Sequence, residues 1–216
     1  MSETTKLVAG SFFTLAFLVA CSSAYYKTME GLGIEKRDIL VDRVEDARDA
    51  QDSASEQFAS ALDQFRSTVN FDGGDLEKTY DRLNAEYERS VAEAKDVSAR
   101  IDSVEDVAED LFKEWELELE QYNRADLRRS SAQILNDTRS RYKQLMSTMR
   151  RAERSMAPVI DAFHDQVLYL KHNLNARAIG ALRNELDSIE KDTANLIAQM
   201  QAAIAEANAF IESMET

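Results

Sequence analysis

Four groups of side chains have types and spacing that chemistry could use. Cys21 is the only cysteine, and it stands where an uncharged run, Leu7 to Ala20, gives way to a polar chain. A lone thiol is a nucleophile, a soft ligand or a point of covalent attachment. His164 and His172 are the only histidines, eight residues apart, with Asp161 and Asp165 beside the first. On a continuous helix they would share a face, the minimum for a metal site. Met146, Met149 and Met156 offer thioethers, but their spacing is that of packed apolar residues. Asp72-Gly73-Gly74-Asp75 has the residues of a calcium loop without its ligand spacing, and reads as a turn. A solvated or packed histidine explains the His/Asp group better than a metal does. Carboxylates are so numerous that no pair stands out as general acid and base. No glycine-rich phosphate loop, paired-cysteine motif or nucleophile elbow occurs. The expectation is no enzyme, no catalytic or cofactor-binding residue and no metal.

Cys21 has the most specific setting. Residues 1 to 6 carry Lys6, and the apolar run after them has the form of an export signal. It is short for a bilayer span, which needs about 20 residues. Leu18-Val19-Ala20-Cys21 then resembles the lipobox of bacterial lipoproteins: an aliphatic residue, a tolerant position, a small residue and the cysteine. That resemblance implies a signal peptide over residues 1–20, cleaved before Cys21. It implies a thioether from Cys21 to diacylglycerol, with a further chain such as palmitate on the freed amine. Several acyl chains hold a protein stably, since each buried methylene contributes about 0.8 kcal/mol. Ser22 follows where aspartate would signal inner-membrane retention. The expected location is therefore the periplasmic face of the outer membrane.

The formal net charge of −14 opposes binding to nucleic acid and broad docking to anionic lipid. Glycine (6) and proline (1) are too scarce for a β-rich chain of 216 residues. Charged residues make up 31%, which fits long helices.

The elements follow from apolar spacing. Residues 21–34 form a lipidated tether, with Gly31 and Gly33 opposing helix and Tyr25 and Tyr26 suited to a headgroup interface or the bundle end. Residues 35–216 form one helical domain, with helices at about 35–70, 75–122, 126–172 and 176–214. Leu40, Val44, Ala47, Gln51, Ala54, Phe58, Ala61 and Phe65 alternate four and three apart, the seam of a coiled coil or bundle. Asp75 is a suitable N-cap for the next helix. A second seam runs from Leu76 through Val97, Ile101 and Val104 to Trp115, which it predicts to be buried. A third begins at Leu127 and runs through Ile134, Thr138, Leu145, Met149, Ala152 and Met156. The phase breaks between Tyr122 and Leu127, so the chain turns there, with Asn123 and Asp126 as a weak capping box. Pro158 predicts a kink or a fresh helix start. Asn173 or Asn175 caps the last helix, whose seam includes Ile179, Leu182, Ile189, Leu196, Met200, Ile204 and Phe210.

Charge supports the turn near Asn123. Residues 102–120 hold nine acids and one base, Lys113. Residues 124–154 hold nine bases against three acids, Asp126, Asp137 and Glu153. Folding back lays one run beside the other and sets partner and register, as flanking charges do in coiled coils. An acidic polymer on the basic run is the less favoured reading, because an acidic partner is supplied internally.

Two stretches carry a family resemblance: Tyr25-Tyr26-Lys27-Thr28-Met29-Glu30 with Glu35 to Val44, and Leu170-Lys171-His172-Asn173-Leu174-Asn175-Ala176-Arg177-Ala178-Ile179. Both are similar to an uncharacterised family of bacterial helical lipoproteins, domain of unknown function 2959. The resemblance covers nearly the whole mature chain and implies export and a helical fold, with no activity or site residue to carry over.

The reading is all-α: an elongated antiparallel bundle or coiled coil of about four long helices behind a lipoprotein signal peptide. Its expected role is a scaffold, adaptor or protein-interaction module, attached to the membrane through lipid on Cys21 and bound to an envelope protein partner. The alternative is a periplasmic bundle that holds a small ligand in its core.

Overall fold

The structure, a computed structural model, describes residues 36–215. The expected signal peptide, Cys21 and the tether lie outside the described residues. Four helices follow one another: α1 Lys36–Val69, α2 Leu76–Leu119, α3 Ala125–His172 and α4 Ala176–Glu215. No strand occurs among the described residues. The short connections force consecutive helices to run antiparallel. α1 packs on α2 and α4, and α3 packs on α2 and α4, which closes a four-helix ring.

Each helix is held by one apolar stripe. Every seam residue expected in α1, from Leu40 to Phe65, is buried. α2 contributes Leu83, Ala94, Val97, Ile101, Val104 and Ala108. α3 contributes Leu145, Met149, Ala152, Met156, Phe163 and Leu170, and α4 contributes Leu182, Leu196, Met200 and Phe210. Phe65 and Phe163 meet edge to face across the interior, with centroids 6.1 Å apart. In α4 the buried position is Ala203, while Ile204 is only half-buried.

The connections show why the helices stop. Gly73 and Gly74 adopt φ of 146° and 117°, a region that side chains disfavour. Asp75 then caps α2 by accepting from the Lys78 N–H at 3.3 Å, and that bond holds its carboxyl below the usual range. Asn175 caps α4, its Oδ1 accepting from the N–H groups of Arg177 and Ala178 at 3.0 and 3.1 Å. At the α2–α3 turn the N-cap is Arg124, with no side-chain cap bond, so the capping box expected at Asn123 does not form. Arg124 instead pairs with Asp126. Pro158 neither ends nor restarts a helix: α3 runs through it. Pro158 and Arg154, whose carbonyl loses a donor, both face solvent, where water replaces the bond.

Register sets the shape. Lys36 Nζ reaches Glu114 at 2.9 Å, Arg100 reaches Asp46 at 3.4 Å, and Gln57 reaches Glu86 at 2.7 Å. α1 therefore begins level with Glu114. Gln144 bonds Glu206 at 3.0 Å, so the end of α4 lies roughly level with Leu135. Beyond those levels, among the described residues, α2 and α3 continue as a two-helix hairpin. At 1.5 Å per residue, the 48 residues of α3 make a rod about 72 Å long.

The hairpin corrects part of the sequence reading. Leu127 and Ile134, expected in the third seam, are 45% and 53% exposed, and Thr138 is half-buried. The buried residue there is Leu135. The expected face was the inward one, since Leu127 lies five turns, about 18 residues, before buried Leu145. Among the described residues no helix covers that face at the tip, where Leu135 is buried while Leu127 and Ile134 are exposed. Trp115 is half-buried for the same reason, and its indole N–H donates to Ser131 Oγ at 2.9 Å.

Candidate functional site

The acidic run of α2 and the basic run of α3 meet as the turn requires. Arg128 pairs with Glu120 at 2.7 Å and Arg139 with Glu116 at 2.6 Å. Arg139 also lies 5.2 Å from the Phe112 ring centroid, a cation–π contact. Deeper in the body Arg150 reaches Asp102 at 2.6 Å and Glu153 at 2.9 Å, and it also pairs with Glu105. Only 22% of its side chain is exposed. The hydrogen bond to Glu105 leads in pushing the Arg150 guanidinium pKa further up, so its charge is fixed at any working pH. Glu116 is held below the usual glutamate value, chiefly by its bond to Arg139. Burial pushes the nearby Tyr142 phenol up to about 12, with the Glu105 charge adding to it. These groups make a fixed ionic ladder and leave no proton poised for transfer near neutral pH.

The side chains singled out for chemistry are spread apart. His164 is exposed; its Nδ1 lies 3.8 Å from Asp165, and its ring centroid lies 5.5 Å from that of Tyr87. His172 ends α3 and is also exposed. Met146, Met149 and Met156 are buried in the core. Asp72 and Asp75 flank the α1–α2 turn, where Asp75 serves as a cap. No group of three or more His, Cys, Asp or Glu that could hold a metal occurs among the described residues. Cys21 lies outside them.

Two features were missed. Gln51 was read as one more seam residue, yet it is a fully buried amide whose nitrogen and oxygen both lack a hydrogen-bond partner. Thr193 Oγ1 is similarly unpaired. An unpaired buried polar group costs about 1–3 kcal/mol. The signal was visible: a glutamine in a core position between Ala47 and Ala54. The second is a surface groove of about 480 Å³ between α2 and α3, lined by Val91, Ala94, Ser98, Met156, Ala157 and Ile160. The α1–α2 register puts Gln51 level with its Val91–Lys95 wall.

The rod also has two unlike ends. Where the chain enters α1, the hairpin tip exposes Leu117, Tyr122, Leu127 and Ile134. At the far end, the last turn of α3 and its connection to α4 expose Leu168, Tyr169 and Leu174. No helix among the described residues is long and apolar enough to cross a membrane.

No curated protein sequence matches the chain. A family model does, over residues 25–214: protein of unknown function, DUF2959. With helices and match spanning the same stretch, the chain belongs to that family.

Proposed function

We propose that this protein is a non-catalytic, lipid-anchored rod of the bacterial envelope that presents a protein-docking end to a partner. The supporting observation is the separation of its ends. α1 starts level with Glu114, and the exposed Leu168, Tyr169 and Leu174 lie at the opposite end, about 50 Å away by the rise of the 34 residues of α1. A diacylglycerol thioether on Cys21 would hold the first end at the outer membrane and carry the second into the periplasm. Exposed apolar residues rimmed by polar ones suit a protein contact. The ionic ladder stiffens the rod without supplying a reacting group.

Two measurements test the reading. Intact mass of the membrane-extracted protein should show acyl chains on a product beginning at Cys21, and Cys21→Ser should leave an unprocessed precursor. A photo-crosslinking residue at Tyr169 should give one defined envelope adduct, absent when the same probe stands at exposed Lys143 mid-rod. A wild-type mass without acyl groups contradicts the anchor. Equal adducts at both positions contradict the docking end.

A second reading has its own observation. The unpaired Gln51 amide is sealed in the core and does not line the α2–α3 groove, so a small ligand bearing a donor and an acceptor would reach it by opening the helix seam. It would displace the rod reading if native mass spectrometry of the purified protein found a bound small molecule that Gln51→Leu abolished.

A further inference from the structure

We propose that copies of this protein pair side by side, the basic outer face of α3 on one copy against the acidic outer face of α1 on the next. The acids of α2 take up only part of the basic run. Arg128, Arg139 and Arg150 pair with them, and Arg124 pairs with Asp126. Lys143, Arg151 and Arg154 are exposed and make no ion pair among the described residues. With Ser140 and Ser147 they recur at steps of three and four. That spacing sets them in one stripe on the side of α3 opposite buried Leu145, Met149 and Ala152. No acid interrupts the stripe, since Glu153 turns to Arg150.

Three observations identify the occupant as a second copy. The first is charge. On the outer side of α1, Asp38, Asp42, Glu45, Asp49, Asp52 and Glu56 recur at steps of four and three with no base among them. Of these only Asp49 is in an ion pair, with Arg48. The second is position. α1 and α3 are diagonal in the four-helix ring, so the two stripes lie on opposite sides of the rod and serve two neighbours at once. The third is level. Phe65 meets Phe163, 98 positions later, across the interior. The same offset sets Glu45 against Lys143, Asp49 against Ser147, Asp52 beside Arg151 and Glu56 against Arg154. Contacts through α2 put Asp46 roughly level with Ala152, and contacts through α4 put Arg48 roughly level with Tyr142, so the direct contact falls between the two. Because the two faces differ, the contact is heterologous and extends into a row of copies. The net charge of −14 opposes association at long range, but at physiological salt charges more than about 8 Å apart are largely screened, which leaves the facing stripes. Single exposed pairs are weak, so the row depends on several acting together. Its parallel orientation rests on the anchor reading given above, which stands every copy on the membrane by the same end.

Charge exchange tests the pairing. A photo-crosslinking residue at Arg154 of the full chain, irradiated in cells, should give adducts of two and more copies, with the partner peptide mapping to α1 around Glu56. Lys143→Glu with Arg151→Glu should abolish these adducts, and so should Glu45→Lys with Asp52→Lys. All four exchanges in one chain should restore them, because the stripes are complementary again. Far-UV circular dichroism should be unchanged in every variant, since the exchanges lie on outer faces. Adducts that survive either pair of exchanges, or that the fourfold variant fails to restore, would overturn the proposal. So would adducts to other proteins only, or none at all. A partner peptide around Val44 means that copies pair antiparallel, which overturns the parallel row. The intact-mass test of the anchor does not depend on these exchanges, and an adduct of two copies differs in mass from the envelope adduct expected at Tyr169. The row, the anchor and the docking end therefore fail separately.

Discussion

Leu145 and Leu127 sit on the same face of the same helix, about five turns apart, yet the first is fully buried and the second is 45% exposed. The difference belongs to their neighbours. In the body, α1 and α4 close over α2 and α3; at the tip no described part of either does. A residue's place on a helix says which way it points, and the length and register of other helices decide whether anything is there. The same contrast runs through α2, where Val97 is fully buried and Trp115, at the same angle, is half-buried.

The contrast makes quantitative claims about stability. Leu145→Ala should cost about 2–5 kcal/mol in chemical denaturation, through lost transfer energy and a residual cavity. Leu127→Ala, the same chemical change on the same face, should cost less than about 1 kcal/mol. Equal losses at the two positions would remove the distinction between body and tip. Gln51→Leu should raise stability by about 1–3 kcal/mol, because it replaces an unpaired amide in the body by a side chain of similar size. A loss on that substitution would mean that the amide has a partner, and would favour the ligand-binding reading.

Acid should loosen the tip by a smaller amount. The folded-state pKa of Glu116 lies below its ordinary value of 4.5, mainly through the Arg139 hydrogen bond. A depressed carboxylate pKa contributes stability that is present above the unfolded value and lost as pH falls through the folded one. The Glu116–Arg139 contribution should therefore be intact at neutral pH and fade as pH falls below about 4.5. Glu116→Gln should remove that part of the acid sensitivity and change little else, as followed by thermal unfolding between pH 3 and 7.

The four helices were legible because their seams are long and regular and their connections carry recognisable caps. Asp75 and Asn175 act as their side-chain oxygens allow, and the opposed charges of residues 102–120 and 124–154 meet across the turn. Leu127 and Ile134 were misread because periodicity along one helix carries no record of where other helices end. Pro158 left two outcomes open, a kink within one helix or a fresh start, because the cost of a missing donor depends on whether water reaches the freed carbonyl; α3 runs through it. Gln51 was seen and its meaning missed, since a heptad position describes burial and leaves hydrogen bonding to the surroundings. Individual partners within the charge runs, such as the three carboxylates on Arg150, depend on ångström-level register that composition does not hold.

Hydrogen exchange along α3 tests the division into body and tip most directly. Amides from Leu145 to Ala152 should exchange only through near-global opening, and those from Leu127 to Leu135 should open locally at much lower free energy. Uniform protection along α3 in the full-length protein would mean that the tip is covered as completely as the body, and would contradict the account.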